Sequence, residues 1–190
     1  MELKVAKPTK PWQKREKTIQ PIYSRCLINR KIILPITAIG KNLAQTIEEN
    51  VKVQFEGKCV VEGFVKPGST KIITYSSGLI ERGNNILFEV VFECEVCFPV
   101  EGMIIVCTAK NITKAGIRAE SSNMVPSPIV VFVAKDHHYN MDYFSEIKEE
   151  DSINIKVIGQ RFELNDKYIS VIGELIEKKE ITNKPRISFL

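Results

Sequence analysis

The stretch EGMIIVCTAKNITKAGIRAE, residues 101–120, predicts two neighbouring β-strands joined by a tight turn. Its first part, Met103–Ile112, is rich in the β-branched and apolar residues that favour strands. Lys114–Gly116 supplies the turn, and Ile117 begins the second strand. The chain after this hairpin contains further strands, whereas the chain before it has a different pattern. We therefore predict that a second domain begins at residue 100.

The second half of the chain has the pattern of a small barrel. The hairpin is followed by the apolar run Ile129–Ala134, the alternating segment Ile153–Val157 and the segment Lys167–Ile176. We expect the apolar run to be a fully buried strand and Gly159 to mark a bulge or corner. Five strands with one long polar connection, 135–151, before the fourth predict an OB-type barrel.

The first half has the pattern of an α+β domain that is mostly β. Residues 22–34 predict a strand that ends at Pro35, and apolar residues spaced by four from Ile39 to Val51 predict a helix with Thr37 as its N-cap. Further strands are predicted at residues 58–65, 71–75 and 86–98. The expected fold of residues 21–99 is a helix on one face of a small antiparallel sheet.

Composition and charge limit the classes of function. The chain has 190 residues, of which 44% are hydrophobic and 26% charged, as in globular proteins. No apolar run approaches the roughly 18 residues that span a membrane, and no secretory signal is visible, so we expect an intracellular protein with no membrane partner. Residues 1–31 carry nine basic and two acidic residues. The flexible basic extension predicted at 1–20 either contacts nucleic acid or an acidic partner, or is a solvated tail.

Reactive groups are few and scattered. The odd number of cysteines, five, favours reduced thiols. Cys94 and Cys97 form a CxxC motif, but in a strand their side chains point to opposite faces, and there is no second CxxC. His137 and His138 have no Cys or carboxylate at ligand spacing. Phosphate-binding loops and nucleophile elbows are absent from the sequence, so we expect no metal, no cofactor and no catalytic residues.

Short motifs then follow one another in a fixed order between residues 22 and 177. They are Gly57-x-Cys59, Gly63-Phe64-Val65, Gly78-Leu79-Ile80, the spaced run from Phe88 through Pro99 to Gly102, Pro128–Lys135, Ile155–Gly159 and Ser170–Gly173. This ordered set resembles the stalk protein of multi-subunit DNA-directed RNA polymerases, which is subunit seven of eukaryotic polymerase II and has a counterpart, E-prime, in the archaeal enzyme.

The resemblance implies a non-catalytic, two-domain subunit. Residues 21–99 are then the tip domain that docks on the polymerase core, and residues 100–178 are the OB-fold barrel, of the ribosomal S-one type, that contacts nascent single-stranded RNA. In this family a second small stalk subunit usually pairs across both domains. The extension at 1–20 and the charged tail at 179–190 depart from the family pattern.

These departures and the Ile-, Lys- and Asn-rich composition suggest the hypothesis of a divergent member encoded by a large DNA virus. Its location is then the host cytoplasm or the virion, and the nucleus if the gene is cellular. The alternative function is a free-standing OB-fold RNA-binding factor in translation or RNA decay.

The predicted RNA contacts are basic. Barrels of this type often carry aromatic residues on the second strand, but that position here reads Gly116-Ile117-Arg118, so base stacking is not expected there. We predict instead that phosphates are contacted by residues around the turns of the barrel, namely Lys110, Lys114, Arg118 and Lys135. The alternative is that these side chains are merely solvated. The acidic residues at 146–151 are expected to make binding weak and sensitive to salt.

The predicted core-docking surface comprises two loops, 63–69 and 78–84, because the resemblance places polymerase contacts there. The physical support is that Pro67-Gly68 forms a stiff, exposed turn. The predicted docking residues are Gly63, Phe64, Lys66, Pro67, Gly68, Gly78 and Arg82. In the connection between the third and fourth barrel strands, Tyr139, Tyr143 and Phe144 either stack on bases or pack on their own domain, and packing is the preferred interpretation.

Overall fold

The computed structural model describes residues 21–81, 83–121, 125–138 and 142–176. In these ranges the chain is mostly β, with eleven strands and two α-helices. The predictions for the extension at 1–20, for Arg82, for Tyr139 and for the tail at 179–190 lie outside the described residues. No described helix has the length and apolarity that a membrane span requires.

The N-terminal sheet is built around one long strand. In chain order its strands are β1 (Tyr23–Pro35), β2 (Cys59–Val60), β3 (Gly63–Val65), β4 (Lys71–Tyr75), β5 (Leu79–Glu81) and β6 (Asn85–Cys97). β1 pairs with β6 along its whole length, and β5, β4 and β3 pair in succession along the other side of β6. β2 extends the sheet beyond β3.

Six strands therefore form where four were predicted. The segment 58–65 is not one strand, because it folds back on itself and its two halves, β2 and β3, pair antiparallel. Gly63 makes this reversal possible, since its φ of 127° is a conformation that L side chains rarely adopt.

The helix α1 (Leu43–Phe55) starts later and ends later than predicted. A 3₁₀ turn at Ile36–Ala38 precedes it, and Asn42 rather than Thr37 is its N-cap. Glycine has a low helix propensity, so Gly40 disfavours a helical start before Asn42. Ile47 and Val51 are fully buried against the sheet, as the stripe predicted.

Five strands close into the predicted barrel. They are β7 (Ile104–Ile112), β8 (Gly116–Ser121), β9 (Ile129–Ala134), β10 (Ser152–Arg161) and β11 (Ile169–Ile176). The order is β10-β11-β9-β8-β7, closed by pairing of β7 with β10, and only β9 and β11 run parallel. The predicted bulge lies between Val157 and Gly159. This arrangement is consistent with an OB-type barrel.

Two details of the barrel differ from the prediction. The connection between β9 and β10 contains a 3₁₀ turn at Lys135–His137 and a short helix, α2 (Asp142–Glu146). The run Ile129–Ala134 is not fully buried, since Phe132 is 41% exposed. In a closed barrel alternate residues of each strand must face outward, and this rule overrides the uniform apolarity of the run.

The sheet and the barrel share buried side chains. Phe64 of β3 and Cys97 of β6 belong to the same hydrophobic cluster as the barrel interior, whereas the helix and the rest of the sheet form a second cluster. The backbone N–H of Cys59 donates to the carbonyl of Asp166 at 2.8 Å, and the N–H of Asn165 donates to the carbonyl of Cys59 at 2.9 Å. The domain division between residues 99 and 100 stays a prediction.

Candidate nucleic-acid interface

An aromatic ring and a guanidinium lie side by side on the outer surface of the barrel. Arg118 of β8 is the cross-strand partner of Phe132 in β9, and Phe132 is the partner of Ile172 in β11. Because residues in register share one face of a sheet, these three side chains form a row. Phe132 is 41% exposed and Ile172 is 56% exposed.

This row forms part of a groove that we call the barrel groove. Its cavity has a volume of about 430 Å³, and the residues that matter for its chemistry are Arg118, Phe132, Gln160, Arg161, Tyr168 and Ile172. Tyr168, just before β11, adds a second exposed ring. The residues lining this groove include two arginines and no carboxylate.

The barrel groove has the chemistry of a site for single-stranded nucleic acid. Exposed rings offer flat apolar surfaces on which bases stack, and guanidinium groups contact phosphates or stack on bases themselves. Within the described residues, neither Phe132 nor Tyr168 is paired with another aromatic ring. Their exposed faces are therefore accessible to a ligand.

Arg118 forms an ion pair with the carboxylate of Glu120 on its own strand. The guanidinium Nη2 of Arg118 lies 3.0 Å from Oε1 of Glu120, two residues along the same strand, and both side chains are partly exposed. An ion pair at this exposure contributes little to stability. Arg118 faces outward because residues of a strand alternate between the two faces, and Glu120 competes with a phosphate for its guanidinium.

The structure places the four predicted RNA contacts in three different surroundings. Arg118 lines the barrel groove. Lys110 lies in β7, and its Nζ is 2.9 Å from each carboxylate oxygen of Glu150. Lys114, in the turn between β7 and β8, is exposed, and so is Lys135, whose backbone N–H donates to the carbonyl of Ala115 at 3.0 Å. Lys114 and Lys135 therefore share one end of the barrel.

The predicted docking residues of the first loop differ in accessibility. Gly63 and Phe64 are buried, and Phe64 is only 2% exposed because it packs into the barrel cluster. Lys66 is half-buried, since its amine pairs with the carboxylate of Glu95 and lies 5.2 Å from the centre of the Tyr23 ring. Pro67 and Gly68 are exposed.

The second predicted docking loop is described except for Arg82. Gly78 is partly buried, and a Cβ at this position would lie 2.5 Å from Cγ2 of Ile86 and 2.9 Å from Cε1 of Phe88. Gly78 thus allows the chain to approach β6 closely before β5 begins. The residues of β5 itself, Leu79–Glu81, are exposed.

Four of the five cysteine thiols are buried. Burial raises the pKa of the Cys94, Cys97 and Cys107 thiols to about 12 and that of Cys59 to about 11. Thiols with such pKa values stay protonated at neutral pH and are poor nucleophiles and poor metal ligands. In the described ranges, no three or more His, Cys, Asp or Glu side chains are grouped as metal ligands.

The aromatic residues of the β9–β10 connection pack on their own domain wherever they are described. Phe144 is buried and stacks on the ring of His138 with 5.6 Å between ring centres. Tyr143 is partly buried against the barrel cluster. These contacts agree with the packing interpretation for both residues.

The sequence did not identify Phe132 and Tyr168 as site residues. The run Ile129–Ala134 is apolar throughout, so periodicity does not distinguish its outward residues from its inward ones. The barrel assignment was the available signal, because it requires alternate residues to face outward. Even that assignment does not place Phe132 beside Arg118, which depends on the pairing register of β8 and β9.

Comparison with known proteins identifies several relatives. The chain is 25% identical, over 175 residues, to a protein provisionally named as a DNA-directed RNA polymerase subunit of Acanthamoeba polyphaga mimivirus, with 83% of this chain and 84% of that protein covered. It is 24% identical over 178 residues to DNA-directed RNA polymerase II subunit 7 of Arabidopsis thaliana, and 24% identical over 174 residues to subunit RPB7 of Glycine max. These two alignments each cover 80% of this chain and 98% of the relative.

No family model matches the chain. The relatives nevertheless confirm the predicted resemblance to subunit seven of the polymerase, and they include a viral protein. The similarity extends over most of the chain and is therefore not limited to the barrel.

Proposed function

We propose that the chain, as an RPB7-like subunit of a DNA-directed RNA polymerase, is a non-catalytic stalk subunit. In this proposal its N-terminal sheet docks on the polymerase core and its barrel guides nascent single-stranded RNA during transcription. The names of the relatives support membership of a polymerase complex, and the OB-type topology supports the contact with nucleic acid. The protein is then located wherever its polymerase works.

The observation that carries the RNA part of the proposal is the placement of Arg118 beside Phe132, with Tyr168 in the same groove. Bases of the transcript stack on the two rings. The guanidinium groups of Arg118 and Arg161 contact phosphates through N–H groups that their pairing with Glu120 and Glu163 at Nη2 leaves available. Stacking contributes about 1–3 kcal/mol per base and tolerates any sequence. Such tolerance suits a protein that receives every transcript.

A binding assay with single-stranded RNA at low salt tests this part. We expect Phe132→Ala and Tyr168→Ala each to raise the dissociation constant about 5- to 150-fold, as the loss of one stacked base requires. Tyr75→Ala is the matched control, because Tyr75 is a partly exposed aromatic residue of the N-terminal sheet. Equal affinities for the native chain and both barrel variants would refute RNA guidance by the barrel groove.

The docking part rests on an exposed apolar row across three strands. Leu87 in β6 pairs with Ile33 of β1 on one side and with Leu79 of β5 on the other. Ile33 and Leu79 are exposed, and Leu87 between them is partly buried. The row lies near the Asn85 end of β6, whereas the Cys97 end contacts the barrel. An apolar surface remote from the barrel is suited to burial against a partner protein.

Affinity purification of the tagged chain from its native cells, with mass spectrometry, tests docking. We expect the large polymerase subunits in the eluate of the native chain, and their loss with the double variant Ile33→Asp, Leu79→Asp. Val53→Asp is the control, since Val53 is an exposed apolar residue of α1 outside this row. If the eluate of the native chain contains no polymerase subunits, the alternative function, a free-standing RNA-binding factor, would be favoured instead.

A further inference from the structure

A second groove continues directly from the barrel groove. It lies between the barrel and the N-terminal sheet, has a cavity volume of about 550 Å³, and is lined by Lys58 and Pro67 on the sheet side and by Pro126 and Lys167 on the barrel side. We call it the junction groove. Arg118, Val130 and Tyr168 line both grooves, so the two grooves adjoin, and we call them together the channel.

The walls of the junction groove are held together by backbone hydrogen bonds. The loop that carries Lys167 is attached to β2 by the two bonds between Cys59 and the Asn165–Asp166 pair, at 2.8 and 2.9 Å. The turn at Pro67 is attached through the backbone N–H of Gly68, which donates to Oε2 of Glu56 at 2.8 Å. The two Cys59 bonds join the two sides of the groove, whereas the Gly68 bond holds the Pro67 turn in place on the sheet side.

The charge of the channel is complementary to a polyanion. Four cationic residues line its two parts, namely Lys58, Arg118, Arg161 and Lys167, against one carboxylate, Glu120. The side chain of Lys167 is exposed, and no carboxylate within the described part of the chain pairs with it.

Three further carboxylates lie close to the channel without lining it. Glu56 accepts the backbone N–H of Gly68, beside Pro67. Glu163 pairs with Arg161 at 3.1 Å, and the carboxylate of Asp166 accepts the backbone N–H of Glu163 at 2.7 Å. Lys58 donates to the carbonyl of Val53 at 3.1 Å, which leaves its charge and its other two hydrogens for a phosphate.

We infer that a single strand of RNA crosses from the barrel groove past Tyr168 into the junction groove, where Lys167 and Lys58 contact its phosphates. This inference rests on the proposed function and adds the N-terminal sheet to the RNA-binding surface. Charge complementarity and the shared ring of Tyr168 favour RNA over an extended peptide. A phosphate backbone matches cationic side chains placed along the path, and the ring offers a stacking surface for a base. RNA longer than the barrel groove therefore gains affinity from the junction.

The test compares RNA of two lengths, about five and about ten nucleotides, within the range that one OB fold binds. We expect the longer RNA to bind at least tenfold more tightly to the native chain. Lys167→Ala should lower the affinity for the longer RNA about fivefold, lower its salt dependence by about 0.7 in log–log slope, and leave the shorter RNA unaffected. Lys148→Ala is the control, because Lys148 is exposed on the barrel and lines neither groove.

The failures of the two proposals are distinguishable. If Lys167→Ala does not affect the longer RNA while Phe132→Ala weakens both lengths, the strand ends on the barrel and only the junction inference is overturned. If Phe132→Ala changes neither length, RNA guidance by the barrel groove fails as well.

Crosslinking gives a readout independent of affinity. A photoreactive amino acid at position 67 should crosslink the longer RNA and not the shorter one, whereas one at the exposed position 73 should crosslink neither. In the purified polymerase complex, a crosslink from position 67 to another protein in place of RNA would overturn the inference.

Discussion

His138 accepts a hydrogen bond at its Nε2 from the backbone N–H of Leu175, with 2.9 Å between the two nitrogens. Its Nδ1 lies 2.7 Å from the carbonyl oxygen of Ala134, to which it donates. The imidazole is buried, so it joins the end of β9 to β11 through two hydrogen bonds shielded from water. Only an imidazole with one proton, on Nδ1, makes both bonds.

We predict that His138→Ala lowers the free energy of unfolding by about 1–3 kcal/mol, because the backbone N–H of Leu175 then loses its buried acceptor. Urea denaturation measures this change. The adjacent exposed residue provides the control, and His137→Ala should alter stability by no more than about 0.5 kcal/mol. Equal losses from the two substitutions would contradict a structural role for His138.

Gly63→Ala should destabilise the protein rather than remove a docking contact. A Cβ at this position would lie 2.4 Å from the carbonyl oxygen of Cys97, and the φ of 127° is itself unfavourable for alanine. The backbone strain alone costs about 1–3 kcal/mol, and the clash adds to it. Thermal unfolding measures the loss, with Gly40→Ala as the control because a Cβ there meets no atom within 4 Å. An unchanged melting temperature for Gly63→Ala would show that β3 pairs with β6 differently.

The buried thiols should make the protein sensitive to alkaline pH. The pKa of Cys107 is raised to about 12 by burial, whereas in the unfolded chain a thiol ionises near pH 8.5. The folded state therefore retains protons that the unfolded state releases. The contribution of the thiol to the free energy of unfolding is fully present below pH 8.5 and is lost as pH rises toward 12. At pH 10 the loss is on the order of 2 kcal/mol per buried thiol.

Replacing one buried thiol tests this pH dependence. Between pH 7 and pH 10, Cys107→Ala should lose less stability than the native chain by one thiol's contribution, measured as the shift of the urea midpoint. Cys26→Ala serves as the comparison, since Cys26 is only partly buried. A native and a Cys107→Ala chain with identical pH dependence would contradict the burial of this thiol.

The basic residues predicted to contact RNA should contribute unequally to the affinity for RNA. The amine of Lys110 is already bound by Glu150, so its loss removes little attraction for phosphate. Lys114 has no carboxylate partner within the described chain. Although it lines neither groove, it lies in the turn before β8, the strand that carries Arg118 of the barrel groove. We therefore expect Lys114→Ala to weaken binding of single-stranded RNA two- to fivefold at low salt, and Lys110→Ala to weaken it less than twofold. Fluorescence anisotropy measures both, and the reverse order would indicate that RNA displaces Glu150.

Local patterns in the sequence were sufficient to predict the barrel and the resemblance to a polymerase subunit. The turn at Lys114–Gly116, the apolar strand segments and the long polar connection are short-range features. They predicted five strands in an OB-type barrel, and the structure contains a closed five-stranded barrel. The stripe through Ile47 and Val51 likewise predicted the buried face of α1. Spaced motifs along most of the chain predicted the resemblance that the relatives confirm.

Long-range pairing decided the rest. The register of β8 with β9 places Phe132 beside Arg118, and the contact of the sheet with the barrel buries Phe64, which sequence had placed on a docking surface. Pairing between strands depends on side chains far apart in sequence, and its register determines which residues of an entirely apolar strand meet solvent. The sequence by itself determined the five strands of the barrel and the buried face of α1. Only the tertiary structure decided the pairing of the N-terminal sheet and which surfaces are open to a ligand.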